Sequence, residues 1–229
     1  MEDKKSEKLQ LIDWAKQYLR NPDKNQEISY ADLYKGLIKY DQFGYATELL
    51  LLKIEAQKKL NEIIPLKQYQ ELAKNIYKDT SLSGYFKYDK ALSILKKYCS
   101  LEDTEDTETL GLAGAINKYR WKFDHQFTHL LQSRSFYKKG YLLWKKNPTQ
   151  SDNGYNAINY AYTNELIVAQ NLEQLDPIEG VTDEIMKRFA LSQQVRLEII
   201  DAFVNKENKE SLVIEEDKWI FATLAEAYF

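Results

Sequence analysis

The chain has 229 residues, 44% apolar and 29% charged, a balance that supports a packed core and excludes a disordered polar chain. It carries 32 Lys and Arg against 35 Asp and Glu, a net charge of −3, so it lacks the basic excess of a dedicated nucleic-acid binder. No run approaches the roughly 20 apolar residues of a membrane span, no apolar stretch follows the charged Met1–Lys8 as a secretory signal requires, and the lone Cys99 allows no internal disulfide.

These features predict a cytoplasmic protein that neither enters a membrane nor binds nucleic acid. Eight glycines and four prolines are few for a sheet-rich fold, while 17 tyrosines and four tryptophans supply the large aromatics that helical repeats wedge between helices.

Leu9, Ile12, Trp14, Ala15, Tyr18 and Leu19 recur at helical spacing until Asn21-Pro22 stops them. A second helix covers Tyr30–Tyr40, a tight connection follows at Asp41–Gly44, and a third helix runs from Tyr45 to about Leu60. Pro65 suits the first turn of the next helix, where its missing N–H costs nothing, and that helix reaches Tyr77. Asp79–Gly84 reads as a loop before a partner helix over Tyr88–Tyr98. Acidic Asp103, Glu105 and Asp106 precede a helix from Glu108 to Trp121 or beyond, where they favour the positive end of its dipole. Further helices are predicted over Gln132–Trp144 and Asn156–Leu172, with a loop at Pro148–Gly154. Asp176-Pro177 and Gly180 punctuate the chain, and Thr182 caps a long helix to Phe203 with Ile185, Phe189, Val195, Ile199 and Phe203 as core residues. A charged link at Lys206–Ser211 and a short apolar run at Leu212–Ile214 lead to a last helix from Asp217 to Phe229.

Some ten helices with short connections imply hairpins stacked side by side. A degenerate pattern of Leu, a small residue and Tyr supports this. It appears as Leu33…Gly36-Leu37…Tyr40, Leu72-Ala73…Tyr77, Leu112…Gly114-Ala115…Tyr119 and Leu224-Ala225…Tyr228. The first three small residues are 37 and 41 positions apart, near the period of about 34 of a tetratricopeptide unit. A small residue lets the second helix of a hairpin cross closely, and the tyrosine fills the groove that remains. The predicted fold is therefore all-α, with tetratricopeptide-like hairpins stacked as a right-handed solenoid.

From about residue 66 onward the chain resembles a known family. The matching segments are Leu72-Ala73…Tyr77-Lys78-Asp79, Ala91…Leu95, Glu108-Thr109-Leu110-Gly111…Gly114…Ile116…Lys118…Trp121, Tyr137…Gly140-Tyr141, Gly154-Tyr155-Asn156…Ile158-Asn159 and Trp219…Ala222-Thr223…Ala225-Glu226-Ala227. They resemble the TRAFs-binding domain, the tetratricopeptide-like region in the regulatory centre of apoptosis signal-regulating kinases, also found in bacterial signalling and defence proteins. The family's asparagine motif has glycine where this chain has Ala157 and alanine where it has Tyr160. The resemblance implies one helical-repeat domain over 1–229, with divergent hairpins in 1–62, the family-like part in 63–229, and a repeat that continues past residue 229. It also implies a non-catalytic regulatory scaffold that binds a protein partner or a linked effector domain.

Several residues bear on function. Lys118, Arg120 and Trp121 lie within four positions, and Lys118 and Trp121 share a face. They read either as a core tryptophan with flanking cations or as a patch for an acidic or aromatic partner segment. Asn153, Asn156 and Asn159 recur every third residue beside Tyr155 and Tyr160. Asparagine is a poor helix former, so these read either as anchors for the preceding loop or as a clamp for a partner's backbone. Lys118, Arg120, Trp121, Tyr155, Asn156 and Asn159 form the candidate partner-binding set. Thr109, Gly111 and Gly114 read as close helix contact, with an anion site at the helix start as the alternative.

Catalytic, cofactor and metal sites are not expected. There is no G-x-x-x-x-G-K-[ST] loop. His125 and His129, four apart on one predicted helix, have no third ligand in a zinc pattern and read as surface histidines. Two functions stay open beside the scaffold: a nucleotide or other small-molecule sensor, and an oligomerisation platform using the aromatic end Tyr228-Phe229.

Overall fold

The computed structural model describes residues 2–22, 28–148, 152–175, 180–204 and 217–228, with side chains from 4–22 and 220–228 at the two ends. These form α1 (Glu2–Arg20), α2 (Tyr30–Lys39), α3 (Phe43–Lys59), α4 (Leu66–Lys78), α5 (Gly84–Tyr98), α6 (Thr107–Asp124), α7 (Phe127–Lys146), α8 (Tyr155–Glu173), α9 (Asp183–Val204) and α10 (Asp217–Tyr228). The described residues contain no strand. The protein is all-α and built of stacked helical hairpins, with each helix packed on its chain neighbours inside two compact units, Met1–Glu102 and Asp103–Phe229.

Local chemistry sets the helix ends. Ser29 accepts a hydrogen bond from the Asp32 N–H, and Asp106 accepts one from the Thr109 N–H, satisfying donors that the first turn leaves open. Pro65 is the N-cap of α4 rather than its first turn, and α3 begins at Phe43, so Gly44 lies inside a helix. The α2–α3, α3–α4 and α6–α7 connections turn through left-handed Asp41, Asn61 and His125. This explains how a chain with few glycines reverses so often. Helices α5 and α7 start earlier than their apolar periodicity suggests, at Gly84 and Phe127. The expected link Lys206–Ser211, the run Leu212–Ile214, Asp176-Pro177 and Phe229 lie outside the described residues.

In the first unit, Leu11 and Ala15 of α1, Leu33 and Leu37 of α2, and Ala46 and Leu49 of α3 form a buried cluster. In the second, Tyr137, Tyr141 and Trp144 of α7 meet Ala157, Tyr160 and Ala161 of α8 and Val195 and Ile199 of α9. Tyr160 stacks on Tyr141 at 5.2 Å between centroids, so the space expected for an alanine is occupied by an aromatic pair. Phe189 does not join the core: it is 51% exposed.

The small-residue pattern has mixed consequences. Gly114 does permit close crossing of its hairpin partner, since a Cβ there would lie 2.6 Å from Cε1 of Tyr137. Gly36 instead makes room for Leu11 of the preceding helix, and Ala225 is exposed. Tyr77 is buried as a groove filler, whereas Tyr119 and Tyr228 are 46% and 64% exposed.

Candidate functional site

The second unit gathers part of the predicted set on one face. On α8, Tyr155, Asn159 and Tyr162 follow helical spacing and line one stripe. Asn159 Nδ2 donates to the carbonyl of Tyr155 at 2.9 Å, leaving its Oδ1 to accept from Nζ of Lys118 on α6 at 2.6 Å. The Lys118 ammonium also lies 5.3 Å from the ring centroid of Tyr162 and 5.6 Å from that of Tyr137. Tyr155 meets Tyr137 edge-on at 6.2 Å. Lys118, Tyr137, Tyr155, Asn159 and Tyr162 therefore form one constellation.

Glycines make this arrangement possible. The absence of a side chain at Gly114 seats the Tyr137 ring against α6, one turn before Lys118. At Gly111 a Cβ would lie 3.1 Å from Tyr155, and at Gly140 it would lie 2.3 Å from Cγ of Asn156. Asn156 has no exposed surface. Its Nδ2 donates to the Thr107 carbonyl at 2.9 Å and to the Asp152 carboxylate, which also accepts from the Asn156 N–H. Asn156 thus ties α8 to the start of α6 and to the loop before α8, and it stands behind the face rather than on it.

Lys118 is more enclosed than Lys122, Lys138, Lys145, Lys146 and Lys187 of the same unit, which are exposed. Its Nζ hydrogen-bonds only a neutral amide, and among the described residues no carboxylate lies within ion-pair distance. Burial lowers its pKa to about 8, helped by the Lys122 charge and opposed by Glu226. Burial also raises the pKa of Tyr155, keeping its phenol neutral.

Arg120 and Trp121 go elsewhere. Arg120 Nε approaches Asp124 at 3.9 Å, and Asp124 meets Nε2 of His129 at 3.2 Å. Trp121 is half-buried, with its indole N–H buried and without an acceptor. The two histidines do not share a helix, because His125 is the left-handed residue after α6 and His129 is buried in α7. Among the described residues no group of three or more His, Cys, Asp or Glu is placed to hold a metal ion. None of the described helices is long and apolar enough to cross a membrane. Thr109 and Gly111 are fully packed helix contacts, and Thr109 is capped by Asp106.

Sequence reasoning missed Tyr137 and Tyr162. Tyr162 was within reach, three residues after Asn159 and seven after Tyr155 on the same stripe. Tyr137 required knowing that α7 crosses α6 over Gly114.

Hairpins of α-helices stacked around small-residue contacts, with a polar and aromatic face left on one helix stripe, define a tetratricopeptide-like repeat protein of the kind that serves as an interaction scaffold. The family model TPR-S, Tetratricopeptide Repeats-Sensor, matches residues 46–164, half of the chain, and the chain belongs to that family. No curated protein and no solved structure matches it.

Proposed function

We propose that this chain is a non-catalytic regulatory scaffold that binds an acidic segment of a partner protein, or of a linked effector domain, at the face of Lys118, Tyr155, Asn159 and Tyr162. One observation carries the reading: the mostly buried Lys118 ammonium has a neutral amide and two tyrosine rings for neighbours and, among the described residues, no carboxylate within ion-pair distance. A desolvated cation with no carboxylate in contact is costly in the free protein, and a carboxylate brought by a partner offsets that cost. The tyrosines add rigid amphipathic contact area of the kind enriched at interfaces. Arg120 and Trp121 take no part in this reading, and Asn156 positions α8. The likeness to the TRAFs-binding domain supports a regulatory role.

A second reading is favoured by the family's description as a sensor. The same cation and rings would hold a small anionic molecule, a nucleotide among the options, whose occupancy is passed to a partner.

The two readings separate by experiment. Immobilised wild-type chain should capture a partner that a folded Lys118→Met variant loses; equal capture by both would remove this face from the interaction. A panel of small anions, nucleotides included, should raise the melting temperature if the second reading holds, because a ligand selective for the folded state stabilises it. A flat response across the panel would sink that reading and leave the first intact.

A further inference from the structure

We propose that Arg134 and Arg188, which converge on Asn164 in the groove between α7 and α9, form a binding site for a phosphoryl group. This site lies on the opposite side of α8 from Lys118, and it stands or falls independently of the function proposed above.

Helices α7 and α9 both pack on α8, and side chains bridge the groove between them. At one level the bridge is neutral. Glu198 of α9 accepts from the Tyr141 hydroxyl at 2.7 Å and from Lys145 Nζ at 2.8 Å, both on α7. Nearby, Arg196 of α9 forms a two-bond fork with Glu165 of α8, at 2.9 and 2.8 Å. Each of these cations meets a carboxylate.

The level of Arg134 differs. Its Nε donates to Oδ1 of the fully buried Asn164 at 2.7 Å, and one terminal N–H reaches the Tyr160 hydroxyl at 3.2 Å. Its guanidinium lies 5.3 Å from the Tyr160 ring centroid. Arg188 approaches the same Asn164 oxygen from α9 at 3.5 Å. Two guanidinium groups therefore share one neutral amide oxygen. Among the described residues Arg134 has no carboxylate within ion-pair distance. Burial first, and then the Arg188 charge, lower its pKa against the opposing effect of Tyr160.

Arg188 is only partly compensated. It pairs at 3.0 Å with Glu184, one turn earlier on its own helix, and that carboxylate is 78% exposed. Such a surface pair is a weak tie. The Arg188 Nε–H is buried with no acceptor. A guanidinium offers five N–H donors in a planar fork, so both arginines retain donors after the bonds above are counted.

A phosphoryl group fits this arrangement better than a carboxylate does. It carries a charge of about −1.5 to −2 near neutral pH and three acceptor oxygens, enough to engage both forks at once. A single carboxylate is already at hand in Glu184 and reaches only Arg188. The phosphoryl group can come from free phosphate or from a phosphorylated side chain of a partner.

The test is side-chain ¹⁵N NMR of the arginine Nε–H signals in the full chain. It is titrated with inorganic phosphate in one arm and a phosphoserine peptide in the other. The unphosphorylated peptide and chloride at matched ionic strength are the controls. Saturable shifts of Arg134 and Arg188 with both probes would establish a site open to free phosphate. Shifts with the phosphopeptide alone would assign the site to a phosphorylated partner. Arg134→Gln and Arg188→Gln are each expected to weaken binding by about tenfold or more, while Lys138→Gln, on the exposed side of α7, leaves it unchanged. Arg134→Lys keeps the charge without the fork and should retain only part of the affinity. Absence of saturation with either probe, or equal binding by folded glutamine variants, would overturn the proposal.

Discussion

Both units place a lysine over a tyrosine beside an asparagine, and only one makes a candidate site of it. In the first unit Lys53 lies 5.1 Å from the Tyr30 ring centroid, Tyr30 stacks on Tyr34, and Asn75 donates to the Tyr34 hydroxyl at 2.9 Å. Lys53 is exposed, and water solvates its charge. Burial pushes the Tyr34 phenol up to about 12, so its hydroxyl stays neutral, and Asn75 spends its donor on it. In the second unit the lysine itself is enclosed, and Asn159 turns its oxygen toward the cation. The same residue types give a solvated surface in one place and a strained cation in the other. Burial decides which.

The sharpest way to break this comparison is to disturb the packing that encloses Lys118. Gly140→Ala would drive a methyl group into Asn156, which cannot yield without losing Thr107 and Asp152. The expected loss is about 2–3 kcal/mol. In the first unit Gly44→Ala meets only the Asp79 carboxylate, at 3.1 Å, and should cost less than about 1 kcal/mol. Urea unfolding followed by helical circular dichroism measures both; equal losses would mean that the α7–α8 packing is not specially tight.

The next effect is electrostatic, and its sign is fixed. An unfolded lysine holds its proton up to about 10.5, the folded Lys118 only up to about 8. Between these values the unfolded state binds more protons, so stability rises with pH across the window, and the penalty is fully present below about 8. Lys118→Met is expected to stabilise the protein by about 2 kcal/mol at neutral pH, with the gain fading as pH climbs toward 10.5. Lys53→Met should change stability by less than about 0.5 kcal/mol. Unfolding of both variants across this pH range is the measurement, and a pH-independent gain for Lys118→Met would refute the buried-cation argument.

The smallest effects distinguish the helix starts. Asp106→Ala removes an acceptor for both the N–H and the hydroxyl of buried Thr109 and should cost about 1–2 kcal/mol. Ser29→Ala removes one exposed cap and should cost about 0.5–1 kcal/mol. Melting temperatures of the two variants give the ranking, and its reversal would place the tighter cap in the first unit.

Much of the site was legible as residue types and spacing. Lys118, Tyr155 and Asn159 stand on helical registers that α6 and α8 preserve. Arg120 was not separable from Lys118 by sequence, because two residues of helix send it to Asp124 instead. Asn156 and Asn159 looked equivalent, and both are buried, yet one is locked to Thr107 and Asp152 while the other turns its oxygen to Lys118. The pairing of Arg134 with Arg188 joins helices 54 positions apart and left no local signal.

The helices, their approximate ends and the stacking of hairpins are written in the order of the residues. Those follow from apolar periodicity, caps, prolines and small residues, all of which act within one or two turns of the chain. Which cations are enclosed, which carboxylates reach them and which glycines admit a crossing ring emerge when the helices pack. Those outcomes depend on burial and on partners far apart in the chain, and desolvation has no signature in local order.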